Sequence, residues 1–565
     1  MATKKGKNVK KGKPLAQSPA PKPTRLYRAV KYAGLPILIY FVAFCFFTWP
    51  WITHFNTRFF TDSGDGLQNV WNMWWINKSV TQLHTSPWFT TYLQAPFGVT
   101  LVGQTLNPIN GFVGIILQHF MSLVQAFNTM IVFSFVFAGL TAFWLSHYFT
   151  KRYLPSLIGG FIFTFSSYHF AHAIGHMQLV SIEFIPLFIL CWWKFVKKPS
   201  YLLAAGASVS LFLVLFCDYY YFLYCLLAAA GIVVYLWVKK EIPSLKDRST
   251  YLPLALFAGL SLIIIAPLPV ALLRANSRDM LTGSHPARLL STDALTPFID
   301  GGFWRFHSLT NAYWKHIHAF VAESSIYLGL SVICVLIYAL IKRKFLHRDI
   351  GFWLILIITF GIFSLGPRLM VFGYSINHAP LPYVILEKVV PGLKLSGVPI
   401  RMMVMVTLGS AIVAAMVLSK INLSKRGGQV LLAVFSIILV VEMFPSTLPL
   451  TSPTEPAYTS ALRALPSTGA VLDDAATTQS YQLYHQIAFD KPMVLGYISR
   501  TPESIVNKDA ALVQTISSGD YKLLCSAYKL RYITTPANTP LHTTFPIVYH
   551  DGQAIIYDLK NSPKC

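Results

Sequence analysis

The sequence predicts an all-α polytopic membrane protein with a small α/β domain at its C-terminal end, and three observations predict it. Hydrophobic residues fill 54% of the 565 positions and charged residues only 12%, about half the charged share of an ordinary soluble domain. The mean hydropathy is +0.52. Apolar runs near the roughly 20 residues needed to cross a bilayer recur along most of the chain.

Residues 1–32 carry ten Lys or Arg and no acid. Such a segment has nothing to bury and reads as a disordered, cytoplasmic, orientation-setting tail. The first apolar run, near Gly34 to Trp51, has no small-residue cleavage site after it and reads as a retained span. A long outer loop, 53–107, follows. Within it Leu67, Val70, Trp71, Trp74 and Trp75 recur at helical spacing, which predicts a Trp-rich amphipathic helix lying in the membrane interface. Residues 108–123 are apolar but short and include Gln118 and His119, so they read as interfacial or re-entrant. Further spans are expected near 128–149, 155–168, 179–195, 201–216, 220–238, 252–271, 325–341, 351–366, 399–419 and 428–444. The count is eleven, within a membrane domain at 33–445.

The net charge of +24 is distributed against a nucleic-acid partner. Clusters at 1–32, 151–152, 194–198, 239–248, 342–348 and 420–426 hold 26 of the 46 Lys and Arg residues, whereas the longer outer loops hold ten. Basic residues accumulate on the cytoplasmic side, so the N-terminus reads as cytoplasmic and residues 446–565 as extracytoplasmic. In that last region GAVLDD, KPMVLGYI, LRYITTP and PIVYHDGQAIIYDL have strand character, and HDGQ signals a hairpin. Seven scattered cysteines show no metal-type spacing; Cys525 and Cys565 alone fall outside the membrane part, and their pairing is left open.

Polar groups at membrane depth are costly and mark sites. Asp62 and Asp65, in TDSGDGLQNVW, precede a helix. Asp65 reads as an N-cap, as a general base or metal ligand, or as both. His169, His172 and His176 have i, i+3, i+7 spacing and could share a helical face. They are candidates for pocket hydrogen bonds, substrate contacts or metal ligation. Glu183 enters the next span and needs a polar partner. Asp218 lies in the aromatic run CDYYYFLY, Glu323 in AESSIYLG, and Arg401 in GVPIRMMV, where it either pairs with a carboxylate or receives a phosphate. Arg274, Arg278 and Arg368 are further phosphate candidates.

GDGLQNVWNMWW, APFG, FSSYHFAHAIGHMQLVSIEFIPL, FSLGPR, VPIRMMV and LRYITTP…VYHDGQAIIYDL together resemble the GT-C superfamily of membrane glycosyltransferases, and within it the YfhO-like bacterial branch. The resemblance implies a transferase in the plasma membrane that takes a sugar from a polyprenyl-phosphate donor. The acceptor would be an envelope glycan, lipid or protein on the outer face. It implies a carboxylate of the first outer loop as base or metal ligand, which falls on Asp65 or Asp62, and it leaves a divalent cation open. It supplies no recognisable basic pair for the donor phosphate. A transporter or lipid-carrier flippase, and a non-catalytic envelope-assembly protein, are the competing readings.

Overall fold

A computed structural model of the chain describes residues 24–283, 285–317, 321–376, 380–390, 393, 397–541 and 543–560. Most of the basic tail, and Cys565 with the pairing left open for it, lie outside these residues. The protein is mainly helical. Among the described residues, four helices are long and apolar enough to cross a membrane: Arg25–Phe47, Leu123–Thr150, Tyr219–Val238 and Pro399–Leu418. A fifth crossing is available if Arg248–Ile264 and Pro267–Arg278, bent by 45° at their junction, count as one. Pro267 starts the second member of that pair, where its missing N–H costs nothing but the preceding helix cannot continue through it. The other expected spans each contain a helix, but these are short, such as Tyr153–Thr164, Leu330–Lys342 and Ile350–Ser364.

The Leu123–Thr150 helix is the central post. It starts with a reciprocal capping box between Ser122 and Gln125, which satisfies two otherwise orphaned N–H groups. Small residues let its neighbours close in. A Cβ on Gly159 would lie 2.5 Å from Ser146 Oγ and 3.1 Å from Ala415 Cβ, so Tyr153–Thr164 packs almost backbone to backbone against both helices. The Met403–Leu418 helix is buried along nearly its whole length.

The amphipathic helix of the first outer loop forms over Asp65–Thr81, but its tryptophans do not face lipid. Trp71 and Trp75 are buried. Trp71 Nε1 donates to Gln486 Oε1 at 2.7 Å, and Lys78 pairs with Asp490 at 2.7 Å. The apolar face that sequence assigns to the membrane is covered by the C-terminal region instead. Periodicity reports that a face is buried, not what buries it. The short element Pro108–Leu117 packs against the same helix.

Near the C-terminus, four strands pair in the order Ala470–Asp473, Leu530–Pro536, Ala554–Asp558, Ile547–His550. The first pairing is parallel and the others antiparallel. The HDGQ turn is as expected: Asp551 Oδ1 accepts from the N–H groups of Gln553 and Ala554, each at 2.7 Å. KPMVLGYI forms no strand; it meets the sheet through a bridge from Met493 to Val471 and through Val494, buried against it. A separate two-residue ladder joins Leu281–Thr282 to Thr501–Pro502, stitching this region to the segment after Pro267–Arg278.

Candidate functional site

The site is built where the first outer loop meets the His-rich turn. The helix Ser167–Ala173 ends before Gly175, and His176 precedes the short helix Met177–Val180. Three hydrogen bonds hold the turn to the loop. Asp62 N donates to Ile174 O at 2.7 Å, Thr61 Oγ1 to Ile174 O at 2.6 Å, and Asn69 Nδ2 to Gly175 O at 2.8 Å. Gly175 is required here, because a Cβ would lie 2.8 Å from Asp62 Oδ2.

The two aspartates divide their work. Asp62 Oδ1 accepts from Gly64 N at 3.0 Å and Gly66 N at 2.9 Å, so it is the side chain that caps the Asp65–Thr81 helix. Asp65 is the first helical residue and makes no cap; the helix-capping reading of Asp65 is therefore corrected in favour of Asp62. Burial raises the Asp62 carboxyl against the lowering pull of those two N–H bonds. The Asp65 side chain is 47% exposed, open to a reactant, and its Oδ2 lies 3.2 Å from His176 Nε2. Burial pushes its carboxyl up, but the His176 hydrogen bond and charge outweigh this, with Arg401 and His285 adding to them, and hold it below the usual carboxylate range.

From Asp65 a line of polar side chains runs inward. His176 Nδ1 and His172 Nδ1 are 3.1 Å apart, so one of them carries the shared proton. His172 Nε2 lies 3.9 Å from Glu323 Oε2. Glu323 accepts from Arg401 Nε at 3.1 and 3.2 Å, with a further bond from Nη2. Burial would raise the Glu323 carboxyl, but the Arg401 charge holds it well below its ordinary value. Of the two roles open to Arg401 in the sequence, carboxylate pairing is the one it fulfils. Its guanidinium also sits over the Tyr220 ring, 4.9 Å from the centroid.

Three expected site residues stand apart from this line. His169 lies within hydrogen-bonding distance of Thr164 O at 2.7 Å and Val180 O at 2.8 Å, so it staples backbone and is not part of the line from Asp65 to Arg401. The helix break after Ala173 separates it from His176, whereas His172 follows it on the same helix. Glu183 accepts from Ser134 Oγ at 2.7 Å. Asp218 caps the Tyr219–Val238 helix, accepting from Tyr220 N at 2.7 Å and Tyr221 N at 3.1 Å. Among the described residues, His172, His176 and Glu323 each offer one donor atom within 4.8 Å of the others. His172 Nε2 is buried without a hydrogen-bond partner, and imidazole and carboxylate together suit a divalent transition metal.

Sequence reasoning missed Arg500, His285 and Tyr220. Arg500 Nη1 lies 3.3 Å from His285 Nδ1, and Nη2 donates to Tyr220 Oη at 3.4 Å. Burial, then the charges of Arg500 and Arg401, push His285 down to about 4. No local signal marks Arg500; it enters the site only because the Thr501–Pro502 ladder places it there. Tyr220, Asp218 and Arg500 also line an apolar cavity of about 240 Å³ bounded by Trp88, Phe222 and Leu268.

The fold has counterparts among solved structures. It is similar to arabinofuranosyltransferase AftD from Mycobacteria, with a TM-score of 0.55 at 13% identity, over 90% of this chain and 35% of that one. A mutant form of AftD gives 0.54 at 11% identity, over 94% and 41%. The chain thus spans well under half the length of these structures. ArnT from Cupriavidus metallidurans, bound to undecaprenyl phosphate, matches at 0.40 and 10% identity, over 93% and 98%. No curated protein matches in sequence. The YfhO-like placement stays a resemblance of motifs. Residues 36–444 match the family model described as Domain of unknown function (DUF6311), and since this is well over half of the sequence, the chain belongs to that family.

Proposed function

We propose that the protein is a membrane glycosyltransferase that moves a sugar from a polyprenyl-phosphate donor to an envelope acceptor. Asp65 is the base. The observation that carries this reading is the half-exposed Asp65 carboxylate, ionised and oriented by His176 at the head of a buried line ending in the Glu323–Arg401 pair. The acceptor hydroxyl gives its proton to Asp65 while its oxygen attacks the anomeric carbon. The bond from that carbon to the phosphate oxygen breaks on the opposite side, so the configuration inverts and the lipid phosphate leaves with the electron pair. Asp62 serves as the cap that fixes the Asp65 helix. His172, His176 and Glu323 are where we place any divalent cation the reaction uses. AftD is an arabinofuranosyltransferase; sugar transfer is carried from it to this chain as a proposal.

The same reading keeps eleven crossings, several by short or tilted helices, with the N-terminus cytoplasmic and residues 446–565 outside. The test is sugar transfer from labelled polyprenyl-phosphate donors in membranes containing the wild type or Asp65→Asn. Because Asp62, not Asp65, caps the helix, this substitution leaves the fold intact. Transfer by the wild type and its loss in the mutant are expected. Equal transfer by both would remove Asp65 as the base.

A further inference from the structure

Arg401 is committed to Glu323, which leaves the donor phosphate without an assigned cation. The buried Arg500 is built into place by contacts from three directions. Ser499 N and Oγ donate to Gln104 Oε1 at 2.8 and 2.7 Å. Ser504 N donates to Asp279 Oδ1 at 3.1 Å, and Glu503 N to Met280 O at 2.9 Å. Two glycines make the slot: a Cβ on Gly283 would lie 2.7 Å from Arg500 Cδ, and one on Gly103 would lie 3.1 Å from Arg500 Cβ.

This guanidinium stands at an apolar cavity whose walls include Trp88, Leu101, Phe222, Leu223 and Leu268. Its neighbours include an imidazole, a phenol and a carbonyl: His285, Tyr220 and Ser499 O. A fixed cation at the end of an apolar slot complements an anion joined to a hydrocarbon chain.

Resting on the lipid-donor reading above, we infer that Arg500 binds the phosphate of the polyprenyl carrier while its first isoprene units lie in the cavity lined by Trp88, Phe222 and Leu268. A residue of the C-terminal region thereby contributes directly to the membrane domain's donor site. Neutral His285 beside it can donate a second hydrogen bond to a phosphate oxygen.

The test measures binding, not turnover. Purified protein in lipid nanodiscs is titrated with fluorescent long-chain polyprenyl phosphate, with the corresponding uncharged polyprenol and with inorganic phosphate as competitor. Wild type should bind the phosphate lipid at least tenfold more tightly than the polyprenol, with little competition from inorganic phosphate. Arg500→Gln should lose that preference and Arg500→Lys should restore part of it. Leu223→Trp, which fills the cavity and keeps Arg500, should weaken the phosphate lipid and the polyprenol alike. Undiminished preference for the phosphate lipid in Arg500→Gln, or equal binding of both lipids by wild type, would overturn the assignment. So would strong competition by inorganic phosphate, which would indicate a free-anion site. If binding depends on Arg500 yet no sugar is transferred, the lipid site stands and the transferase reading falls. If Arg500→Gln transfers sugar with unchanged KM, the converse holds.

Discussion

Two carboxylates three residues apart have opposite tasks because one is surrounded by N–H groups and the other by an imidazole. Asp62 spends its oxygen on Gly64 and Gly66, and replacing such a cap with Ala costs about 1 kcal/mol. Asp65 faces His176, which holds its carboxyl below the usual carboxylate value near 3.9. A base must be ionised, so transfer should persist as pH falls until Asp65 protonates below that value. In His176→Ala the lowering partner is gone and burial remains, so the acid limb of the pH–rate profile should move to higher pH. An unmoved limb would remove His176 as the orienting partner. Linkage gives the same sign for stability: a depressed carboxyl contributes fully above its unfolded pKa, and the contribution is lost as pH falls through the folded one. Most of this site was legible as residue types, since Asp65, His172, His176, Glu323 and Arg401 all converge. Which aspartate caps the helix was not legible, because only backbone geometry brings Gly64 N and Gly66 N to Asp62.

At the scale of elements, the decisive feature is the interruption between Ser167–Ala173 and Met177–Val180. An unbroken helix would put His169, His172 and His176 on one stripe, as their spacing suggests. Ending it at Ala173 takes His176 off that stripe and brings it out to Asp65, while His169 and His172 stay on one helix. Gly175→Ala should push on the Asp62 carboxylate and shift both the cap and the turn. The expected result is a loss in transfer rate of roughly tenfold or more, equivalent to about 1.4 kcal/mol at the barrier, with the protein still folded by its unfolding temperature. A variant as active as wild type would show that the turn relaxes without cost. The apolar helices themselves were readable from hydropathy alone, but their number as crossings was not. Short helices such as Tyr153–Thr164 are apolar for protein contacts as much as for lipid, and composition does not separate the two.

For the whole molecule, the outer loop, the membrane helices and the C-terminal sheet form a continuous structure. The loop's tryptophans were expected at lipid because nothing in a local window shows that Gln486 and Asp490 will cover them. Trp71→Ala removes a fully buried ring from that joint, a class of change that costs about 3–5 kcal/mol. The expected outcome is faster limited proteolysis within both 82–107 and 466–500, read by mass spectrometry of the fragments. Cleavage confined to one of the two would mean that they are not held together through Trp71. The hydrogen bond from Trp71 to Gln486 joins residues 415 positions apart, and Ser499 reaches Gln104 across 395. An early-made segment therefore waits for a late-made one. While the C-terminal region is still unmade, the first loop has its tryptophans uncovered and Gln104 without Ser499, so this joint is assembled only at the end of synthesis. A truncated or stalled chain thus keeps those tryptophans bare.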